Sequence, residues 1–142
     1  MAIRDEVMPV AVVTGAARGI GLASSQWFLA RGYRVAMIDF DGAALCEAAT
    51  GLGDASRVLA IECDISDEAQ VAAMASRVEQ QFGRIDALVN NAGVAVFKPL
   101  LETTFQEWRH VFATNLDGAF LCTQFCAPVM LRNGGGSIVN IS

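Results

Sequence analysis

The sequence predicts an α/β fold in which a parallel sheet is covered by helices on both faces. Three observations lead there. Short apolar runs alternate with stretches of helical period along the whole chain. The first run, Val10-Ala11-Val12-Val13, is apolar at every position, as a strand buried on both faces requires. That run then passes into a helical pattern through a glycine-rich turn, V-A-V-V-T-G-A-A-R-G-I-G from Val10 to Gly21.

The elements follow in order. Gly15 permits a tight exit from the first strand, and Gly19 and Gly21 remove side chains where a helix start meets another body closely. The helix runs to about Ala30. Tyr33 to Ile38 is a second buried strand, followed by Asp39-Phe40-Asp41-Gly42 and a short helix to about Thr50, closed by Gly51 and Gly53. Val58 to Ile61 is the third strand and leads into Cys63-Asp64-Ile65. Ser66, followed by Asp67 and Glu68, suits a helix start, with Val71, Met74, Val78 and Phe82 at helical spacing and Gly83 as its stop. Ile85 to Val89 is the fourth strand and runs into Asn90-Asn91-Ala92-Gly93. Thr104 and Glu107 have capping-box spacing and open a long helical region to Leu131, ended by Asn133 and the Gly134-Gly135-Gly136 run. Ser137 to Ile141 is a fifth strand. No linker or repeat divides the chain, so residues 1–142 read as one domain.

Composition narrows the function classes. A net charge of −5 argues against a nucleic-acid partner. Mean hydropathy is high, +0.41, and a sheet buried on both faces plus a subunit interface accounts for it. A membrane span does not, because no apolar run approaches roughly 18 residues; the longest such stretch, Ala119 to Leu131, is interrupted by Thr123 and Gln124. The N-terminus, MAIRDEVMPV, lacks the apolar segment of a secretory signal. Cys46, Cys63, Cys122 and Cys126 show no C-x-x-C spacing and read as reduced thiols of a cytoplasmic protein. With His110 the sole histidine, no metal site is expected.

Chemistry concentrates at strand ends. A helix start offers unpaired N–H groups and partial positive charge, so the turn at Gly15 to Gly21 suits a phosphate. Asp39 ends the second strand about 20 residues beyond that turn, where dinucleotide folds place an acid for the adenosine ribose hydroxyls; Phe40 stands beside it. A carboxylate there repels a 2′-phosphate by about 4 kcal/mol at 4 Å and an effective dielectric of about 20, less when exposed. A third of that is about tenfold in affinity. Arg18, inside the turn, opposes this, but Asp39 is the more direct determinant, so NAD is favoured over NADP. Trp27, Trp108, Phe112 and Phe120 are assigned to core or interface rather than to base stacking.

The dinucleotide fingerprint G-x-G-x-x-G is absent. What stands instead is T-G-x-x-x-G-I-G, carried by Thr14, Gly15, Gly19, Ile20 and Gly21, with N-A-G at Asn91-Ala92-Gly93, an acid at Asp39 and an asparagine inside a helical pattern at Asn115. In these motifs the chain resembles the short-chain dehydrogenase/reductase family from Val10 to Ser142. The resemblance implies a Rossmann-like doubly wound sheet of five strands in the order 3-2-1-4-5. The helices beginning near Gly19 and Asp41 then share one face, and those beginning near Ser66 and Thr104 cover the other. It implies that Asp64 and Ile65 lie along the adenine, that Asn91-Ala92-Gly93 passes beside the cofactor ribose, and that Asn115 interrupts its helix and holds a water relaying protons to a catalytic lysine. It implies hydride transfer between a nicotinamide cofactor and a carbonyl or alcohol, and homodimers or homotetramers built on Thr104 to Leu131, a region with more apolar side chains than one sheet-facing stripe needs.

The chain also departs from the family pattern. Its only tyrosine is Tyr33, in the second strand, and no Y-x-x-x-K occurs. Ser142 aligns one position before the family's catalytic serine, so it stays outside the catalytic set. The expectation is that these residues supply the cofactor-binding half, with the catalytic Ser, Tyr and Lys following the fifth strand. The fold would then be incomplete on its C-terminal side. Alone, the 142 residues are expected to bind NAD weakly, to self-associate through the bare edge at Ser137 to Ile141, and to show no turnover. The alternative is a non-catalytic nucleotide-binding or interaction module. The apolar segment Val94 to Leu101 is expected to line one wall of a pocket for an uncharged alcohol or ketone.

Overall fold

Every residue of strand β1 (Val10–Thr14) is fully buried, which only a central strand covered on both faces allows. The computed structural model describes residues 7–142; the first six residues of the N-terminal stretch read for a signal lie outside that range. β1 is followed by α1 (Gly19–Leu29), β2 (Arg34–Asp39), α2 (Gly42–Gly51), β3 (Val58–Glu62), α3 (Glu68–Phe82) and β4 (Ala87–Asn90). Then come a 3-10 turn (Leu100–Glu102), α4 (Phe105–Phe112), a π turn (Ala113–Asp117), α5 (Gly118–Arg132) and β5 (Ser137–Asn140). The sheet order is β3-β2-β1-β4-β5, with all neighbours parallel. The chain thus winds outward from β1 to β3, then returns past it to β4 and β5, and both βα loops flanking that reversal lie at the strands' C-terminal ends.

Side-chain alternation along β1 and β2 divides the core in two. Val13, Val35 and Met37 meet Leu29 of α1 and Leu45 of α2 on one face. Val10, Val12, Ala36 and Ile38 meet Val71, Met74 and Val78 of α3 and Cys122, Cys126 and Val129 of α5 on the other. Burial pushes the Cys63 thiol up to about 11, with Asp64 and Asp67 adding to the effect, and the Cys126 thiol up to about 12. These are neutral core groups. All four residues of β5 are exposed, and Ile138, Val139 and Ile141 stand 40–47% open to solvent.

Four details differ from the sequence reading. β4 starts at Ala87, not Ile85, because Asp86 is occupied as a staple: its Oδ2 accepts the Val10 N–H at 2.8 Å and it pairs with Arg84. Helix α3 is capped by Asp67, whose side chain accepts from Gln70 N. Ser66 is not the cap, since its N–H and hydroxyl both donate to Asp64 Oδ1. The long helical region is three pieces, with the π turn at its centre. Of the core-or-interface assignment for Trp27, Trp108, Phe112 and Phe120, the core part does not hold, since they are 37–62% exposed.

The start of α4 carries a pH-sensitive clasp. Thr104 Oγ1 accepts the Glu107 N–H, Glu107 Oε2 accepts the Thr104 N–H, and Lys98 Nζ sits 2.6 Å from Glu107 Oε1. Lys98 first, then the Thr104 N–H and hydroxyl, lower the Glu107 carboxyl to about 2. A depressed folded-state pKa means that the contribution is complete above the unfolded value, near 4.5, and is lost as pH falls toward 2. Amide protection in the first turn of α4, taken relative to the intrinsic exchange rate at each pH, should therefore fall only below about pH 4.5, and Glu107→Gln should flatten that dependence. Unchanged protection down to pH 2 would contradict it.

Candidate active site

The C-terminal ends of β1 and β4 are joined by one buried hydroxyl. Thr14 Oγ1 accepts the N–H groups of Asn91 and Ala92, each at 3.0 Å, and donates to the Val89 carbonyl at 3.3 Å. The Asn91 side-chain amide completes the tie by donating to the Thr14 and Gly15 carbonyls. Gly15 leaves the strand at φ +64°, and a Cβ there would stand 2.9 Å from Ala92 Cα. A Cβ on Gly21 would collide with the Gly15 carbonyl. The turn and the first turn of α1 are thus packed against each other and against the residues after β4. Gly19 differs from the close-packing expectation: its surroundings are open, and it is glycine because φ is +56°.

The start of α1 has neither a side-chain cap nor an acid in its first turn. Helices α2, α3 and α4 are all capped, by Asp41, Asp67 and Thr104. The uncapped N–H groups of α1 adjoin a cleft of about 490 Å³. Gly15 and Arg18 come to it from the β1 loop, Asp39 and Phe40 from β2, Asp64 and Ile65 from β3, and Asn91, Ala92 and Gly93 from β4.

Asp39 is 9% exposed; its Oδ2 accepts the Ala17 N–H at 3.0 Å and its Oδ1 the Asp41 N–H at 3.1 Å. Each oxygen keeps a lone pair for a further donor. Asp64 is exposed but held by Ser66, while Ile65 is buried, with its side chain against Gly118 at the start of α5. Phe40 is 70% exposed at the rim.

Of the sequence-proposed residues, Gly19, Ile20 and Gly21 do not line the cleft; they form the helix start behind it, with Ile20 turned outward. Asn115 belongs to an adjoining cleft of about 570 Å³, shared with Asn90, Thr123, Asn140 and Ser142. It sits in the π turn, its Oδ1 accepting the Val94 N–H at 2.8 Å and its Nδ2 donating to the Val94 carbonyl at 2.9 Å. Thr14, Asp41, His110 and Thr114 were not proposed from sequence as site residues, although His110 and Thr114 line the first cleft. Their spacing of four, with Thr114 adjacent to Asn115 and His110 one turn before Thr114, was the available signal. Among the described residues no group of three His, Cys, Asp or Glu could hold a metal ion.

A family profile described as short chain dehydrogenase matches residues 9–142. The chain belongs to the short-chain dehydrogenase family. Among its relatives, a D-threitol dehydrogenase of Mycolicibacterium smegmatis is 44% identical over 135 residues, covering 94% of this chain and 52% of its own. A meso-2,3-butanediol dehydrogenase of Serratia marcescens is 38% identical, covering 92% and 51%. A short-chain dehydrogenase/reductase from Burkholderia phymatum, solved in complex with NAD, superposes with a TM-score of 0.89 at 32% identity, over 94% of this chain and 48% of that one. A 3-ketoacyl-(acyl-carrier-protein) reductase from Brucella melitensis, complexed with NADH, gives 0.88 at 30% identity, over 94% and 57%. The chain spans about half the length of the curated relatives it matches. No helix among the described residues is long and apolar enough to cross a membrane.

The Thr14 tie yields a direct test. Thr14→Val keeps the shape but leaves the Asn91 and Ala92 N–H groups without their acceptor, which should cost about 2–6 kcal/mol. Thr14→Ser should recover most of it. Equal denaturation midpoints for the Val and Ser variants would show that the hydroxyl does not tie the strands.

Proposed function

We propose that this chain supplies the cofactor-binding half of an NAD-dependent oxidoreductase that transfers a hydride between nicotinamide and a small alcohol or ketone. The observation that carries the reading is the convergence on one cleft of the glycine turn, Asp39, Asp64-Ile65 and Asn91-Gly93 from four strand ends. The uncapped start of α1, with open space around Gly19, fits a pyrophosphate. A bound nicotinamide dinucleotide supplies the carbon that accepts or donates hydride; every proton and contact is left to the protein.

In this reading the first-turn N–H groups of α1 hold the pyrophosphate. Asp39 accepts from the ribose hydroxyls with the lone pairs that the Ala17 and Asp41 N–H groups leave free. Asp64 and the Ile65 wall bracket the adenine. Asn91-Ala92-Gly93, pinned by Thr14, passes beside the second ribose. Asn115 binds Val94 on both backbone groups and so sets the loop that leads to the apolar wall Val94 to Leu101. Through a water it also orients the proton path to a lysine. The tyrosine, lysine and serine of the reaction belong to a longer polypeptide, in keeping with the half-length match to relatives. Polyol and diol dehydrogenases among those relatives support an uncharged alcohol as substrate, and residues 1–142 form one domain of a cytoplasmic enzyme.

The protein should bind NAD at least tenfold more tightly than NADP in a calorimetric titration, and Asp39→Ala should narrow the gap. Equal affinities would refute the cofactor assignment. Binding of NAD by a protein that turns over no alcohol or ketone would instead favour a nucleotide-binding module.

Assembly follows from the exposed apolar side chains along α4 and α5, where Phe105, Phe120 and Leu131 are 62–77% open. The protein is a homodimer or homotetramer through Thr104 to Leu131. Light scattering at micromolar concentration should give two or four copies, and a monodisperse monomer would oppose it.

A further inference from the structure

The rim of the cleft beyond Asp39 is more acidic than one carboxylate. Asp39 and Glu62 are register partners at the ends of adjacent strands β2 and β3. The Glu62 side chain lies against Gly42, the first residue of α2, where any Cβ would strike its carboxylate. Asp41 caps that same helix by accepting the Ala44 N–H at 3.1 Å. The N-terminus of α2, which would otherwise attract an anion, is therefore already faced by two carboxylates. One guanidinium stands near them. Arg18 is the sole Lys or Arg lining the cleft among the described residues, and its Nη2 lies 2.6 Å from Asp41 Oδ2.

An ion pair this exposed, with side chains 69% and 37% open, adds little to folding stability. Its consequence is positional. The Ala44 N–H first and Arg18 next hold the Asp41 carboxyl below the usual carboxylate range, and the 2.6 Å contact places the Arg18 guanidinium on Asp41 Oδ2.

We propose that Asp41 is a second determinant of cofactor choice, a positioning residue that retains Arg18 at the α2 N-terminus and so denies a 2′-phosphate the one basic partner that lines the cleft among the described residues. The inference rests on reading the cleft as a nicotinamide dinucleotide site. Asp39 repels the 2′-phosphate directly, whereas Asp41 acts through Arg18 and, with Glu62, fills the helix start where that phosphate would otherwise gain N–H contacts. Arg18 in the glycine turn is thus compatible with NAD preference, because its charge is already answered.

The test is a calorimetric titration of the protein with NAD and with NADP. Asp41→Ser keeps a capping oxygen for Ala44 but is too short to reach Arg18. It should raise NADP affinity about tenfold relative to NAD, and adding Arg18→Ala should remove that gain. Asp41→Asn, which keeps length and cap but loses the charge, should give a smaller gain of the same sign. Unmoved NADP-to-NAD ratios in both Asp41 variants, with NAD still bound, would overturn the inference alone. A gain that survives Arg18→Ala would overturn it too, since the route through Arg18 would be wrong. Failure of the unsubstituted protein to bind either dinucleotide would remove the underlying reading and this inference together.

Discussion

The rest of the site depends on one hydroxyl at the junction of β1 and β4. Thr14 is fully buried, and its oxygen serves three backbone groups from the neighbouring strand. Two of those are N–H groups beyond the end of β4, where the ladder no longer supplies acceptors. Without Thr14 they would be unpaired, and each such group costs about 1–3 kcal/mol. With it, the chain past β4 is held against the chain past β1. The gap between the two loops is then set by the close approach of Gly15 to the Ala92 backbone, of Gly21 to the Gly15 carbonyl, and of the Asn91 side-chain amide to both glycines. A floor made this way is stiff, because glycine contacts have no rotamers through which to relax.

Carboxylates do the corresponding work on the other side. Asp39 binds the Ala17 N–H of the loop after β1 and the Asp41 N–H of its own loop, Asp64 binds the Ser66 N–H, and Asp41 and Asp67 cap the helices that follow. The same acids that shape the rim give it negative charge. Structural and selective roles are therefore not separable at these positions: replacing one alters a turn as well as a field. The start of α1 has neither a capping side chain nor an acid in its first turn, and its N-cap residue, Arg18, lines the cleft.

The π turn at Ala113–Asp117 links the two halves of this arrangement. A π turn lets one residue step out of the helical ladder. Asn115 uses that freedom to bind both backbone groups of Val94, two residues past Ala92. The path from Thr14 through Asn91-Ala92 to Val94 and Asn115 is continuous in hydrogen bonds and backbone. It ties the cofactor-side loop to the helix whose exposed face is the candidate subunit contact.

By itself, the sequence determined the element types and their alternation. Doubly apolar runs such as Val10 to Val13 have no stable place except inside a covered sheet, and the capping box at Thr104 and Glu107 is a local device, formed as read. It also determined most of the cleft, because Gly15, Asp39, Asp64 and Asn91 each sit at a strand end, and parallel strands bring their ends together. Partner choice among polar groups was decided only by the tertiary structure. Ser66 and Asp67 are equally good caps in isolation; Asp64, three-dimensionally fixed at the end of β3, takes Ser66 and leaves the cap to Asp67. The start of β4 moved for the same reason, since Asp86 meets Val10 across 76 residues. Thr14 and Asp41 stayed invisible as site residues because their partners, Asn91 and Arg18, are 77 and 23 positions away. A local pattern reports what a residue can bind, and only the packed chain reports which partner arrives.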